Sequence, residues 1–237
     1  MSAPDRCTFR GFAGGILALS LTLVIAGSGC SNNSPTGPDF GANDPSVVVA
    51  LGDSITFGVL DTNVETCEES NRGAGGFCPP LQSLSGKSVI NAGLCGQDSY
   101  GGVAHVDQAL HRWRPGVILI DYSPNDIANG SEVLISNLRF MIAAAIANQT
   151  IPVLGTLVPA TGYHEGWNPF IVEANTKIRA LCVELKLECA DHYLAFVTDP
   201  GFIASPFALL SEEGLHPNHA GYALMAETWA ETLRRVY

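Results

Sequence analysis

Positive charge is scarce in this sequence. Twelve Lys and Arg stand against 23 Asp and Glu, for a net charge of −11 over 237 residues. Nucleic acid and anionic membrane surfaces are held through basic patches, so neither is expected as a partner. No glycine-rich phosphate fingerprint follows the first apolar strand, which argues against a nucleotide-binding fold. No Cys-x-x-Cys pair or His/Cys cluster has zinc spacing, so no metal site is expected. No internal repeat is evident. The apolar run Ile16–Ala26 is too short to span a bilayer comfortably.

What that run does offer is a targeting pattern. Arg6 and Arg10 precede it, and the small residues Gly27, Ser28 and Gly29 follow it. This is the order of a signal peptide over residues 1–29, and it implies export. Cys30 comes next, and the stretch resembles a bacterial lipoprotein signal, in which that cysteine would be lipidated. Gly27 departs from the aliphatic residue usual in such signals, so ordinary secretory cleavage stands beside lipidation. Residues 30–45 are rich in Ser, Asn, Pro, Gly and Asp and read as a flexible tether. Residues 46–237 are long enough for one domain with a proper core.

Export permits disulfides. Beyond Cys30 stand Cys67, Cys78, Cys95, Cys182 and Cys189, an odd number, so at least one is expected free. Bridges Cys67–Cys78, across a glycine-rich loop, and Cys182–Cys189, from a helix end to the next strand, are the pairings considered. Cys95 is expected as a buried structural thiol.

Strand and helix patterns alternate along the domain. Val47–Leu51 is a buried strand running into the turn Gly52-Asp53-Ser54. Residues 61–85 read as a long irregular loop. Further strands are expected at Ser88–Gly93, Gly116–Tyr122, Ile151–Leu157 and Glu188–His192. Helices are expected near residues 102–112, over 131–148 with Ser131 as cap, from Asn168-Pro169 to Leu187, and from His219 to near Tyr237. Parallel strands need crossovers and bury both faces, so the pattern implies an α/β fold with a parallel sheet between helical layers.

Four polar stretches fall at strand ends: Gly52-Asp53-Ser54, Gly93, Asn125-Asp126 and Glu213-Gly214-Leu215-His216. Parallel strands end on one edge, so these groups can converge. A serine hydroxyl becomes a nucleophile when an imidazole takes its proton, which casts Ser54 and His216. A carboxylate must hold the imidazole in its working tautomer. Glu213, three residues before His216, can reach back, with Glu212 or an unassisted Ser–His dyad as alternatives. The backbone N–H groups of Ser54 and Gly93 and the Asn125 amide could receive an oxyanion. Asp53 and Asp126 are assigned to turns and loop structure. His219 is expected as a solvated helix residue. His105, His111, His164 and His192 carry no motif and are expected at the surface or satisfied.

These blocks occur in the order of the SGNH/GDSL hydrolase family, which the chain resembles: Gly52-Asp53-Ser54, Asn91-Ala92-Gly93, Asn125-Asp126 and Leu215-His216-Pro217-Asn218. The resemblance implies a flavodoxin-like, doubly wound, five-stranded α/β/α sandwich. It implies cofactor-free ester hydrolysis, with Ser54 as nucleophile, His216 as base, and Gly93 and Asn125 as oxyanion donors. Two residues depart from the family pattern: Glu213 replaces the usual aspartate, and Ser123 the usual glycine. The expected protein is an exported serine esterase. A carbohydrate O-deacetylase using the same residues and a non-catalytic envelope binding lipoprotein are the rivals.

Overall fold

The computed structural model describes residues 38–61, 64–122 and 124–237. The signal segment, Cys30, most of the tether and Ser123 lie outside the described residues. Five strands form one parallel sheet, in the order β2-β1-β3-β4-β5. They are β1 (Asp44–Gly52), β2 (Ser88–Gly93), β3 (Pro115–Asp121), β4 (Ile151–Gly155) and β5 (Cys189–Ala190). The helices are α1 (Ser54–Phe57), α2 (Cys78–Ser85), α3 (Ser99–Trp113), α4 (Ser131–Ala147), α5 (Asn168–Leu185), α6 (His192–Thr198), α7 (Pro200–Ala204) and α8 (His219–Val236). This is the expected doubly wound three-layer α/β/α fold. No described helix is long and apolar enough to cross a membrane.

The central strands carry apolar side chains on both faces, and their alternation sorts the core into two layers. Val49, Leu51, Ile118, Ile120 and Leu154 face α3, α4 and α5. Val48, Ala50, Val117, Leu119 and Val153 face α2, α6 and α8. The last pairs of the β1 ladders are Gly52↔Gly93 and Gly52↔Asp121, so β1, β2 and β3 stop level with one another. Everything that follows these strands therefore emerges at one rim. Gly52 is required there: a Cβ would lie 2.1 Å from Thr56 Oγ1 and 2.2 Å from the Asp121 carbonyl oxygen.

Several expectations change. Residues 78–85 of the supposed loop are helical, because Pro79 and Pro80 occupy a first turn, where an N–H is not needed. Ser131 does not cap α4. Gly130 is the cap residue, at φ 86°, and the Ser131 hydroxyl donates to Glu173 at 2.6 Å. The fifth strand keeps only two residues. Asp191 turns the chain and accepts the Leu194 N–H at 3.1 Å, which starts α6 at His192. The disulfide joins Cys67 to Cys95, with Cα atoms 6.0 Å apart. Cys78 cannot serve as the partner of Cys67, because its side chain is buried in the core between Ile55 and α8. Cys182 and Cys189 are free thiols, as is Cys78.

His192 is neither at the surface nor satisfied. It is fully buried, lies edge-on to Trp229 at 4.7 Å, and neither ring nitrogen has a partner among the described residues. Burial pushes its pKa down to about 3, so the folded protein holds it neutral. The unfolded chain binds a proton at His192 below its ordinary value of 6.5, where the folded chain does not. Stability from this residue is thus complete above pH 6.5 and drains away as pH falls toward 3. Replacing His192 with Phe should remove this dependence. In urea titrations, wild type should lose about 1.4 kcal/mol per pH unit relative to the variant within that window. Parallel pH–stability curves would refute the assignment.

Candidate active site

Ser54 opens α1 immediately past the carboxyl end of β1. Asp53 makes that turn: its carboxylate accepts the Ile55 N–H at 2.9 Å. Asp53 is thus a turn residue, as expected. Ser54 N–H is the first donor of its helix and has no acceptor within it.

His216 arrives from 162 residues away, on the segment leading into α8. That segment is stapled in place. Asn218 accepts the Ala220 and Gly221 N–H groups and donates to the carbonyls of Phe207, Ala208 and Leu210. The Ser211 N–H donates to the His216 carbonyl at 2.9 Å. His216 Nε2 lies 2.8 Å from Ser54 Oγ, and its Nδ1 lies 2.9 Å from Glu213 Oε1. A carboxylate only accepts, so Nδ1 carries the proton and Nε2 offers its lone pair to the serine hydroxyl.

Glu213 reaches the imidazole despite its extra methylene. Its Oε1 also accepts the N–H groups of Leu215 at 3.1 Å and His216 at 2.5 Å, and the Ser211 hydroxyl at 2.8 Å. Burial pushes its pKa up, but the hydrogen bonds from His216 and Ser211 outweigh that and hold it down at about 2. Glu212 is exposed and makes no hydrogen bond to the imidazole.

Asn125 lies in a 3-10 turn, Pro124–Ala128, just past β3. Its amide donates to the Gln97 carbonyl at 3.0 Å, with Asp53 Oδ2 at the longer distance of 3.4 Å. Asp126 is buried and accepts the N–H and hydroxyl of Ser99 at 2.9 and 2.6 Å, which docks α3 onto this turn. Its expected structural role fits.

Gly93 must be corrected. Its N–H already donates to Asn91 Oδ1 at 3.0 Å, and a Cβ there would lie 2.3 Å from the Phe57 nitrogen. Gly93 serves close packing of α1 on β2. Three residues on, Gly96 adopts φ +71° with open space where a side chain would be. It sits between the bridged Cys95 and Gln97, whose carbonyl holds Asn125. The sequence carries this glycine in the same short stretch, but only the left-handed backbone distinguishes it from Gly93.

Among the remaining residues, one cysteine departs from expectation and the histidines fit it. Cys95 is bridged, not a thiol. His219 is solvated, with 78% of its side chain exposed, yet its Nδ1 pairs with Asp61 at 2.9 Å. His105 and His111 each bond the carbonyl four residues back at 2.7 Å. His164 lies against Glu213, which no sequence spacing announces. Among the described residues no cluster of three or more His, Cys, Asp or Glu is placed to hold a metal.

The GDSL-like Lipase/Acylhydrolase family model matches residues 50–224. Solved structures share the fold. The lipase/acylhydrolase from Enterococcus faecalis superposes with a TM-score of 0.64 at 23% identity, over 80% of this chain and 95% of its own. A GDSL-like lipase from Bacteroides thetaiotaomicron gives 0.63 at 21%, over 81% and 89%. An α/β hydrolase enzyme from the Lake Arreo metagenome gives 0.66 at 17%, over 84% and 99%. A search of curated proteins found no match.

The Cys67–Cys95 bridge closes a span of 28 residues and ends beside Gly96. Replacing both cysteines with serine should cost about 3–4 kcal/mol in unfolding free energy, from the entropy the bridge removes from the unfolded chain. Urea titration of the double variant checks this. An unchanged midpoint and slope would mean the bridge contributes nothing to stability.

Proposed function

The chain belongs to the GDSL-like lipase/acylhydrolase family, and on that premise we propose that it is a serine esterase working through an acyl-enzyme. The observation that carries this reading is the unbroken relay Ser54 Oγ–His216–Glu213, with links of 2.8 and 2.9 Å. In the first step His216 Nε2 takes the Ser54 proton as Oγ attacks the ester carbonyl. The imidazolium then faces the ionised Glu213, which stabilises it without taking its proton. Negative charge on the carbonyl oxygen is received by the N–H groups of Ser54 and Gly96 and by the Asn125 amide. Gly96 replaces Gly93 in this role. Collapse expels the alcohol, which leaves with the proton from His216. Water, activated by the same imidazole, then attacks the acyl-enzyme and releases the acid.

Export belongs to the same proposal. The order of residues 1–29 supports a signal peptide, and the Cys67–Cys95 bridge suits an oxidising compartment. Cys30 would then carry the lipid that attaches the protein to a bacterial envelope, with residues 31–45 as its tether. The ester substrate is the only partner required. Membrane contact would come through that anchor alone, with no role for nucleic acid.

Two measurements test the chemistry. Ser54→Ala should abolish hydrolysis of a short-chain aryl ester and labelling by a fluorophosphonate, while the melting curve persists. Retained turnover would remove Ser54 from the mechanism. Asn125→Ala should lower kcat by about 100- to 1000-fold, the usual cost of one oxyanion donor. A loss below about tenfold would place the oxyanion elsewhere.

A further inference from the structure

His164 occupies a 3-10 turn, Gly162–Trp167, between β4 and α5. The turn is zipped to the segment that carries Glu213. The Thr161 N–H donates to the Gly214 carbonyl at 2.7 Å. Gly214, at φ +82°, lies so close that a Cβ would stand 2.2 Å from the Thr161 carbonyl oxygen. One residue to the side, His164 Nδ1 lies 2.8 Å from the Glu213 carbonyl oxygen and 3.3 Å from its Oε2. Both are acceptors, so Nδ1 carries the hydrogen; it donates to the carbonyl, with Oε2 in contact at the longer distance. The ring is held edge-on to Trp167 at 4.8 Å.

The two oxygens of Glu213 are supported unequally. Oε1 receives Ser211, Leu215, and both the backbone and the ring of His216. Oε2 lies against the His164 ring nitrogen at 3.3 Å, and that nitrogen's hydrogen goes to the Glu213 carbonyl. A glutamate has one more rotatable bond than an aspartate, so its carboxyl can swing while Oε1 stays bonded. We infer that His164 is a positioning residue, which anchors Glu213 through its carbonyl and stands against its Oε2, so that Oε1 stays aimed at His216 Nδ1. The anchored main chain and the ring against Oε2 thus offset the freedom that the longer acid introduces. The inference rests on Glu213 being the triad acid, as proposed above.

Two substitutions separate the donor from the ring. His164→Phe keeps an aromatic ring against Trp167 and removes the N–H. His164→Asn removes the ring and keeps an amide donor near the Nδ1 position. With an aryl ester, His164→Phe should lower kcat about 10- to 100-fold, the scale of a misplaced catalytic group, with KM unchanged. His164→Asn should recover most of kcat. The His216 Nδ1 proton, read by NMR, should lie far downfield in wild type and in the Asn variant, and should shift upfield in the Phe variant. A role in packing alone predicts the reverse order, with Phe active and Asn impaired, and that result would overturn the inference. So would wild-type kcat and an unmoved resonance in the Phe variant. If wild type neither turns over esters nor labels, the esterase reading fails, and the resonance still decides whether His164 holds Glu213.

Discussion

Two hydrogen bonds, of 2.8 and 2.9 Å, hold a hydroxyl, an imidazole and a carboxylate in line, and the rest of the molecule exists to keep them there. The parallel sheet is the first requirement. Its strands end together, so a serine after β1 and a histidine 162 residues later can share one rim. The second requirement is that the histidine arrive rigidly. Asn218 bonds helix α8 at one end and three carbonyls of the preceding segment at the other. His216 is caught between the two. A side chain carried on a loop keeps its geometry only when the loop is fastened in this way.

Charge placement follows the same logic. Glu213 is ionised because four donors converge on it, not because it is exposed. Beneath the rim the opposite rule holds. Asp121, at the end of β3, has its pKa raised by burial and by the charge of Asp53. His192 is kept neutral nearby; a Cβ on Gly155 would touch both side chains. Glu213 is thus held ionised beside the imidazole, while burial opposes ionisation of Asp121 and His192 in the layer below.

The fold was legible because its signals are local. Runs of β-branched and aliphatic residues separated by helix-length segments dictate a parallel sheet, and their positions were found to within a few residues. As candidates, Ser54 and Asn125 were legible from short blocks at strand ends, and Glu213 and His216 from their three-residue spacing, although that block leads into α8 and follows no strand. What escaped was decided by tertiary contact. Gly93 and Gly96 lie in one short stretch, and only the folded chain shows that the first is bonded and packed against α1 while the second turns left-handed into open space. His164 meets Glu213 through a contact between two segments 49 residues apart. Cys67 and Cys95 pair because the loop folds back over the end of β2, which no spacing rule encodes. Helix α2 was hidden by its own prolines, whose meaning depends on whether a first turn lies there.

The bridge also divides the molecule into parts that can change and parts that cannot. It pins residue 67 to residue 95, and within the bight so closed residues 75–77 are buried ahead of helix α2, whereas residues 68–70 are exposed. Lengthening a closed bight is cheap, at about 0.6 kcal/mol for each doubling. Insertions or grafts there would alter the surface beside the rim while the covalent staple leaves Gly96 undisturbed. A lineage could diversify what it meets outside the pocket without retuning the chemistry within it.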